Sequence, residues 1–313
     1  MYTTNLIRKA GLFLAIASVS FLSSCDKDDD TPAAQNITQV VVNGANFSLL
    51  EAAVVRAGLA DTLANTPNLT VFAPDNDAFT AAGLNEAAIN ALPIETLKAV
   101  LRYHVLTARV PSGSVPAGPN AEVTTYGGGK IFATRGTAGV FINGVKVKTA
   151  DVSASNGVIH VVSRVLFPPS GNIVATAQAN PNLSYLVEAV LRADASGTSI
   201  SGALSAAGPL TVFAPTNQAF IDAGFPTIAS IKAADPNTLK NILLYHVVAA
   251  RVFSSDLTEG AQPTTAQGGK VTIKLAGGAK VRGASNTTDS NITITDIVTT
   301  NGVVHVIDKV LLP

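Results

Sequence analysis

Apolar residues recur along this chain in two rhythms, one helical and one alternating. Leu49, Leu50, Ala53, Val54 and Ala57 fall at helical spacing, which predicts an amphipathic helix over 47–57. "LTVFA" at 69–73 is a short β-branched and aromatic run stopped by Pro74, and Asp75 stands where the next helix needs a cap. Leu97, Val100, Leu101 and His104 share one helical face behind Pro93, a helix-starting signal. From Gly127-Gly128-Gly129 onward the period shortens: "KIFA", "VFINGVKV" and "GVIHVVSRVLF" read as strands, and Asn143-Gly144 predicts a tight hairpin. Early helices and late strands predict an α+β domain.

The same pattern is then written again. "LTVFAPDNDAF" at 69–79 returns as "LTVFAPTNQAF" at 210–220, identical at nine of eleven positions. "NFSLLEAAVVRA" at 46–57 returns as "NLSYLVEAVLRA" at 182–193, "LRYHVLTARV" at 101–110 as "LLYHVVAARV" at 243–252, and "NGVIHVVSRVLFP" at 156–168 as "NGVVHVIDKVLLP" at 301–313. The offsets run from 136 to 145, so each copy is a whole domain. Thr216 replaces Asp75, and because both side chains accept a hydrogen bond, the exchange supports a helix cap. Pro168-Pro169-Ser170-Gly171 marks the joint, giving domains at 36–168 and 170–313 with little slack between them.

The N-terminus reads differently. Arg8 and Lys9 precede an apolar stretch from Gly11 to Leu22, which is too short to span a bilayer comfortably. Leu22-Ser23-Ser24-Cys25 then resembles a bacterial lipobox, which implies a signal peptide over 1–24 and lipid attached at Cys25. "DKDDD" follows and reads as a hydrated acidic tether over 25–35. Its resemblance to acidic export signals on surface lipoproteins implies an outer-membrane protein facing the cell exterior, with the periplasmic face as the alternative. Cys25 is the sole cysteine, so disulfides within the chain are impossible and packing alone must stabilise both domains.

Composition narrows the function classes. Twenty-one basic and twenty-one acidic residues cancel, leaving no basic field for nucleic acid. Tryptophan is absent and the expected mature chain has four tyrosines, which speaks against a dedicated aromatic platform for glycans. The three glycines at 127–129 lead into a strand with no Gly-Lys-Ser/Thr, unlike a phosphate loop, and read as a flexible hairpin.

The ordered boxes "TVFAP.N.AF", "YHV" and "NGV.HV...VL.P", each present twice, resemble those of the fasciclin-like (FAS1) domain family. The resemblance covers nearly all of the expected mature chain. It implies two tandem domains, each a wedge of two β-sheets flanked by short helices, in a secreted or surface-anchored protein associated with adhesion. It also makes Tyr103-His104 and Tyr245-His246 the candidate binding positions, with core packing at a helix-to-strand junction as the alternative. The second copy replaces "INGVKV" by "VRGASNTTDSNITI", so its distal hairpins are expected to be longer or bent differently.

All four histidines, His104, His160, His246 and His305, occupy repeat-equivalent positions. Asp151 and Asp296 each precede a late histidine by nine residues, so a His–carboxylate pair can be drawn in both domains. No serine shares a motif box with these histidines in both copies, and no clustered spacing suggests a metal or a cofactor. The expectation is structural: His160 and His305 satisfy a buried backbone or Asp group, and Asn156-Gly157 and Asn301-Gly302 make the turn into the last strand through positive φ. The resulting reading is a lipid-anchored, non-catalytic adhesion module for an extracellular protein or glycan. An enzyme or metal-dependent sensor built on His and Asp, and a spacer or envelope-stress protein, are the alternatives.

Overall fold

The computed structural model describes residues 34–313; the expected leader, Cys25 and most of the tether lie outside the described residues. Among the described residues no helix is long and apolar enough to cross a membrane.

The first domain begins with α1 (Ile37–Asn43), α2 (Ser48–Arg56) and α3 (Ala60–Asn65), then β1 (Leu69–Pro74). Helices α4 (Asn76–Ala81), α5 (Glu86–Ala91) and α6 (Ile94–Tyr103) follow, and β2 (Val105–Leu106) continues directly from α6. The rest is sheet: β3 (Ala121–Thr124), β4 (Lys130–Gly136), β5 (Gly139–Ile142), β6 (Val145–Ala154) and β7 (Gly157–Val162). Asp75 caps α4 by accepting from the Ala78 amide at 2.9 Å, and Asn85 caps α5 in the same way at 2.8 Å. Asn143 and Gly144 both take positive φ, 51° and 76°, which is the geometry a two-residue hairpin requires.

The second domain repeats the order with α7 (Ile173–Gln178), α8 (Ser184–Asp194), α9 (Ile200–Ser205), β8 (Leu210–Pro215), α10 (Asn217–Asp222), α11 (Ile228–Ala233), α12 (Pro236–Tyr245) and β9 (Val247–Val248). Its remaining strands are β10 (Thr272–Lys274), β11 (Lys280–Arg282), β12 (Ser290–Thr299) and β13 (Gly302–Ile307). The counterpart of β3 shrinks to the single bridge Thr264–Lys270. Residues 283–289 replace the Asn143-Gly144 turn, the longer connection that the altered sequence predicts.

Each domain carries one hydrogen-bonded sheet, ordered β2-β1-β7-β6-β5-β4-β3 in the first and β10-β11-β12-β13-β8-β9 in the second. The two sheets expected per domain are joined because β6, and β12 in the second copy, is long enough to pair with neighbours on both sides. Bulges interrupt both long strands, and Asp151 (φ 60°) and Asp296 (φ 63°) sit within them. The strand at the start of each domain lies parallel to the strand at its end, with Phe72 beside His160 and Phe213 beside His305.

Period-two alternation sorts the core into layers. Along β1, Val71 and Ala73 join Leu50, Val54, Leu97 and Leu101 under the helices, whereas Phe72 turns to Tyr103, Ile131, Ile142 and Val162 on the opposite face. Full burial of each such side chain contributes roughly 1.5–3 kcal/mol, so both faces of the central strands are needed.

The domains meet through residues that are not equivalent in the two copies. Phe253, which stands where the first copy has Pro111, is fully buried against Phe132 and Val303, and the Arg251 guanidinium lies 3.9 Å from the centre of the Phe132 ring. Asn120 donates to Asp256 at 2.9 Å, and Arg164 donates to Asp296 at 2.8 Å. Tandem duplication therefore produced one asymmetric body from two similar domains.

Candidate functional site

The Tyr-His box closes the end of α6 and of α12. Tyr103 is 1% exposed; its hydroxyl donates to the Lys130 carbonyl at 2.7 Å and accepts from Asn143 Nδ2 at 3.1 Å. Tyr245, also buried, donates to the Lys270 carbonyl at 2.5 Å and accepts from the Ala284 amide at 2.9 Å. A backbone donor from the longer connection thus replaces the Asn143 side chain. Gly129 and Gly269 lie beneath these rings: an added Cβ would fall 3.0 Å from the Tyr103 ring and 2.8 Å from the Tyr245 ring. The glycine run turns the hairpin between β3 and β4, as read from the sequence, and also forms the floor on which the tyrosine packs. Burial pushes the Tyr103 phenol up to about 12.

His104 and His246 follow the same logic. Nδ1 of His104 donates to the Val100 carbonyl at 2.8 Å, and Nε2 accepts from the Leu166 amide at 2.9 Å. In the second copy the partners are the Ile242 carbonyl and the Leu311 amide, both at 2.8 Å. Each ring therefore ties a helix end to the segment after the last strand, and each must be neutral to do so. Desolvation drives both imidazoles down to about 4. The four residues named as candidate binding positions are therefore enclosed, each at most 3% exposed, and none reaches the outer surface.

The late histidines use the opposite tautomer. His160 Nε2 donates to the Val110 carbonyl at 2.9 Å, while Nδ1 accepts from the Asp151 amide at 3.2 Å. His305 does the same with Val252 at 2.9 Å and Asp296 at 3.3 Å. Phe72 and Phe213 stack on these rings with centroids 5.7 Å apart. Burial lowers the His305 pKa, opposed by the nearby Asp296 charge. The bulge in the long strand turns the Asp backbone, and not its carboxylate, toward the imidazole.

Those carboxylates hold a serine instead. Asp151 accepts from both the amide and the hydroxyl of Ser112, which keeps its carboxyl below the usual range. Asp296 accepts from the Ser254 amide at 2.6 Å and its hydroxyl at 2.5 Å. Serine, aspartate and histidine thus do come together in both copies, contrary to the sequence reading; Ser112 and Ser254 extend the "YHV" box as "ARVPS" and "ARVFS". The order of contacts is wrong for a triad. The serine faces the carboxylate, and both imidazole nitrogens are engaged with backbone, so no ring nitrogen is left to take the serine proton. Among the described residues no three His, Cys, Asp or Glu side chains cluster as metal ligands.

The Asn-Gly pairs make the turn into the last strand, as expected, but not through positive φ. Asn156, Gly157, Asn301 and Gly302 do not take positive φ. Asn156 Oδ1 accepts from the Ile37 amide at 2.9 Å, and Nδ2 donates to the carbonyls of Leu63 at 2.7 Å and Thr66 at 2.9 Å. Asn301 latches the Ile173 amide at 3.0 Å and the Leu204 and Ala206 carbonyls at 2.8 Å. One amide thereby serves the orphan groups at the start of the first helix and the end of the third. The glycine permits close strand approach, since an added Cβ would sit 2.2 Å from the Leu69 carbonyl oxygen at 157 and 2.1 Å from that of Leu210 at 302.

Comparison with known proteins agrees with this duplicated architecture. The family model described as Fasciclin domain matches residues 45–168 and again 181–313. Protein sll1483 of Synechocystis sp. is 38% identical over 141 residues, covering 44% of this chain and 77% of its own length. Human periostin is 27% identical over 263 residues, covering 83% of this chain. Rabbit transforming growth factor-beta-induced protein ig-h3 is 26% identical over 247 residues, covering 78%. The chain spans 29% of periostin and 34% of ig-h3. Among solved structures, a FAS1 domain pair from the insect cell adhesion molecule fasciclin I aligns over 85% of this chain and 96% of its own, at 18% identity and a TM-score of 0.40. With the family model matched in both halves and every repeated box in place, the chain belongs to the fasciclin domain family, as a tandem pair of FAS1 domains.

Proposed function

We propose that this chain is a lipid-anchored protein of the bacterial outer membrane, facing the cell exterior, and that it acts as a non-catalytic adhesion module for an extracellular protein or glycan. The observation that carries the reading is the family match in both halves, in a family whose members are associated with adhesion. The lipobox-like "LSSC" supplies the anchor at Cys25, and the acidic run after it supplies clearance from the bilayer. Interlocked domains would present two surfaces at fixed spacing, which favours binding to a repetitive target over independent engagement by a flexible pair. The enzyme reading has less support, because all four imidazoles are committed to backbone groups.

Two measurements test this. Cys25→Ala should move the protein from the membrane fraction to the soluble fraction, and surface protease on intact cells should remove the wild-type domains. Residues 34–313, applied to arrays of matrix proteins, glycans and whole cells, should bind saturably to at least one surface. Folded protein that binds none of them would argue for the spacer reading, and retention of Cys25→Ala in the membrane would remove the lipid anchor.

A further inference from the structure

Each domain has an apolar pocket, partly open to solvent, beneath its first three helices, and the two pockets differ greatly in size. It measures about 30 Å3 in the first domain and about 280 Å3 in the second. The repeat alignment traces the difference to named residues. Val41 of α1, buried in the first core, becomes Ala177 of α7, so two methyl groups are missing from the wall. Arg102, whose guanidinium lies 6.0 Å from the Tyr126 ring centre, helps close the smaller space together with that ring. Their counterparts are Leu244 and Ala266, placed by the matching amide bonds Tyr126 to Val105 and Ala266 to Val247, both 2.7 Å. Neither replacement lines the larger pocket.

The chemistry of the walls selects the ligand. The polar residues lining the pocket are Gln178, Ser201 and His246. Ser201 Oγ donates to Asp194 at 2.5 Å, and both ring nitrogens of His246 are engaged. The interior therefore offers no free hydrogen-bond donor, and a carboxylate or other acceptor entering it would shed its hydration without replacement. Gln178 is exposed at the end of α7, and Leu191 on the adjoining helix is 54% exposed. A molecule suited to this pocket is apolar along its length and polar only at the solvent end. An apolar cavity of about 150 Å3 already suffices for a benzene-sized guest, so this one accommodates a longer chain.

We propose that the second domain, and not the first, is a receptor for one fatty acyl chain, held between α7, α8 and α9 with its head group beside Gln178. This site is independent of the adhesion reading and of the anchor at Cys25. The test is calorimetric titration of residues 34–313 with decanoic acid below its micelle concentration, with melting temperatures taken in parallel. Saturable binding of one equivalent with a negative heat-capacity change is expected. Ala177→Leu should weaken it at least tenfold while the melting temperature holds or rises; if that variant misfolds, Ala177→Val, which restores the residue of the first domain, should weaken it in the same direction. Absence of saturable binding to folded wild-type protein, or undiminished affinity in a folded Ala177 variant, would overturn the proposal.

Discussion

Ser112 and Asp151 in the first domain make the same hydrogen bonds as Ser254 and Asp296 in the second, yet one carboxylate faces solvent and the other is sealed. Asp151 lies exposed at its bulge, whereas the Asp296 side chain is 2% exposed beneath Arg164 of the first domain. The same contrast runs through the neighbouring residues. Arg109 and Arg251 each donate to the carbonyl of the glycine that opens the last strand, at 2.8 Å, but only Arg251 also stacks on Phe132. What the copies share holds each domain together, and what they do not share joins the domains and opens a pocket in one of them.

Breaking the shared part should have the largest effect. Tyr245→Ala removes a fully buried ring and leaves the Lys270 carbonyl and Ala284 amide without their partner, a loss of about 3–5 kcal/mol by urea unfolding. Tyr103→Ala should behave alike, and any adhesive activity should fall together with stability. A Tyr103→Ala protein that kept its stability but lost adhesion would place that ring at a binding surface.

Acid should act next. His104 and His246 are held neutral, with pKa about 4 when folded against about 6.5 when unfolded. The unfolded chain therefore binds more protons between these values, so the stabilisation is complete above pH 6.5 and is lost as pH falls toward 4. The loss is about 3 kcal/mol per histidine over that window. His104→Gln should lower stability at pH 7.5 and flatten the decline below pH 6.5; an unchanged slope would mean the ring titrates alike in the folded and unfolded chain.

The smallest effect sharpens the contrast between the copies. Asp296→Ala should cost about 1–3 kcal/mol, since it leaves the Ser254 amide and Arg164 without their acceptor. Asp151→Ala, open to water, should cost less than about 1 kcal/mol. Equal costs would show that Arg164 adds nothing to the interface.

Much of this is legible in the sequence. Helix faces, the cap at Asp75 and Thr216, and the Asn143-Gly144 hairpin follow from local spacing, and local spacing is preserved in the fold. Asn156 does sit in the turn between β6 and β7 that the local signal predicts, but its side-chain partners, Ile37 and Leu63, lie about a hundred residues away in sequence and are not legible from the pair itself. The long strands β6 and β12 join what the family resemblance implied are two separate sheets, because a bulge bends a ladder without ending it. The interface was hidden for a different reason: Phe253 and Phe132 are not repeat equivalents, so aligning the copies cannot pair them. Ser112 and Ser254 escape the sequence reading although they extend the "YHV" box in both copies, because the box as read ends two residues before them. The pocket was written as Val41 against Ala177, but a two-methyl difference gains meaning only once both positions are seen in the same wall.

The central claim is that the repeated histidine boxes are core fastenings and not contact surfaces. Diethyl pyrocarbonate footprinting of residues 34–313 at neutral pH, read by mass spectrometry for each of the four histidines, tests it most directly. All four are at most 3% exposed, so the folded protein should show strong protection at His104, His160, His246 and His305 that is lost on unfolding in urea. Modification of His104 or His246 in the folded protein at the rate of a free imidazole would contradict the account and return those positions to the surface.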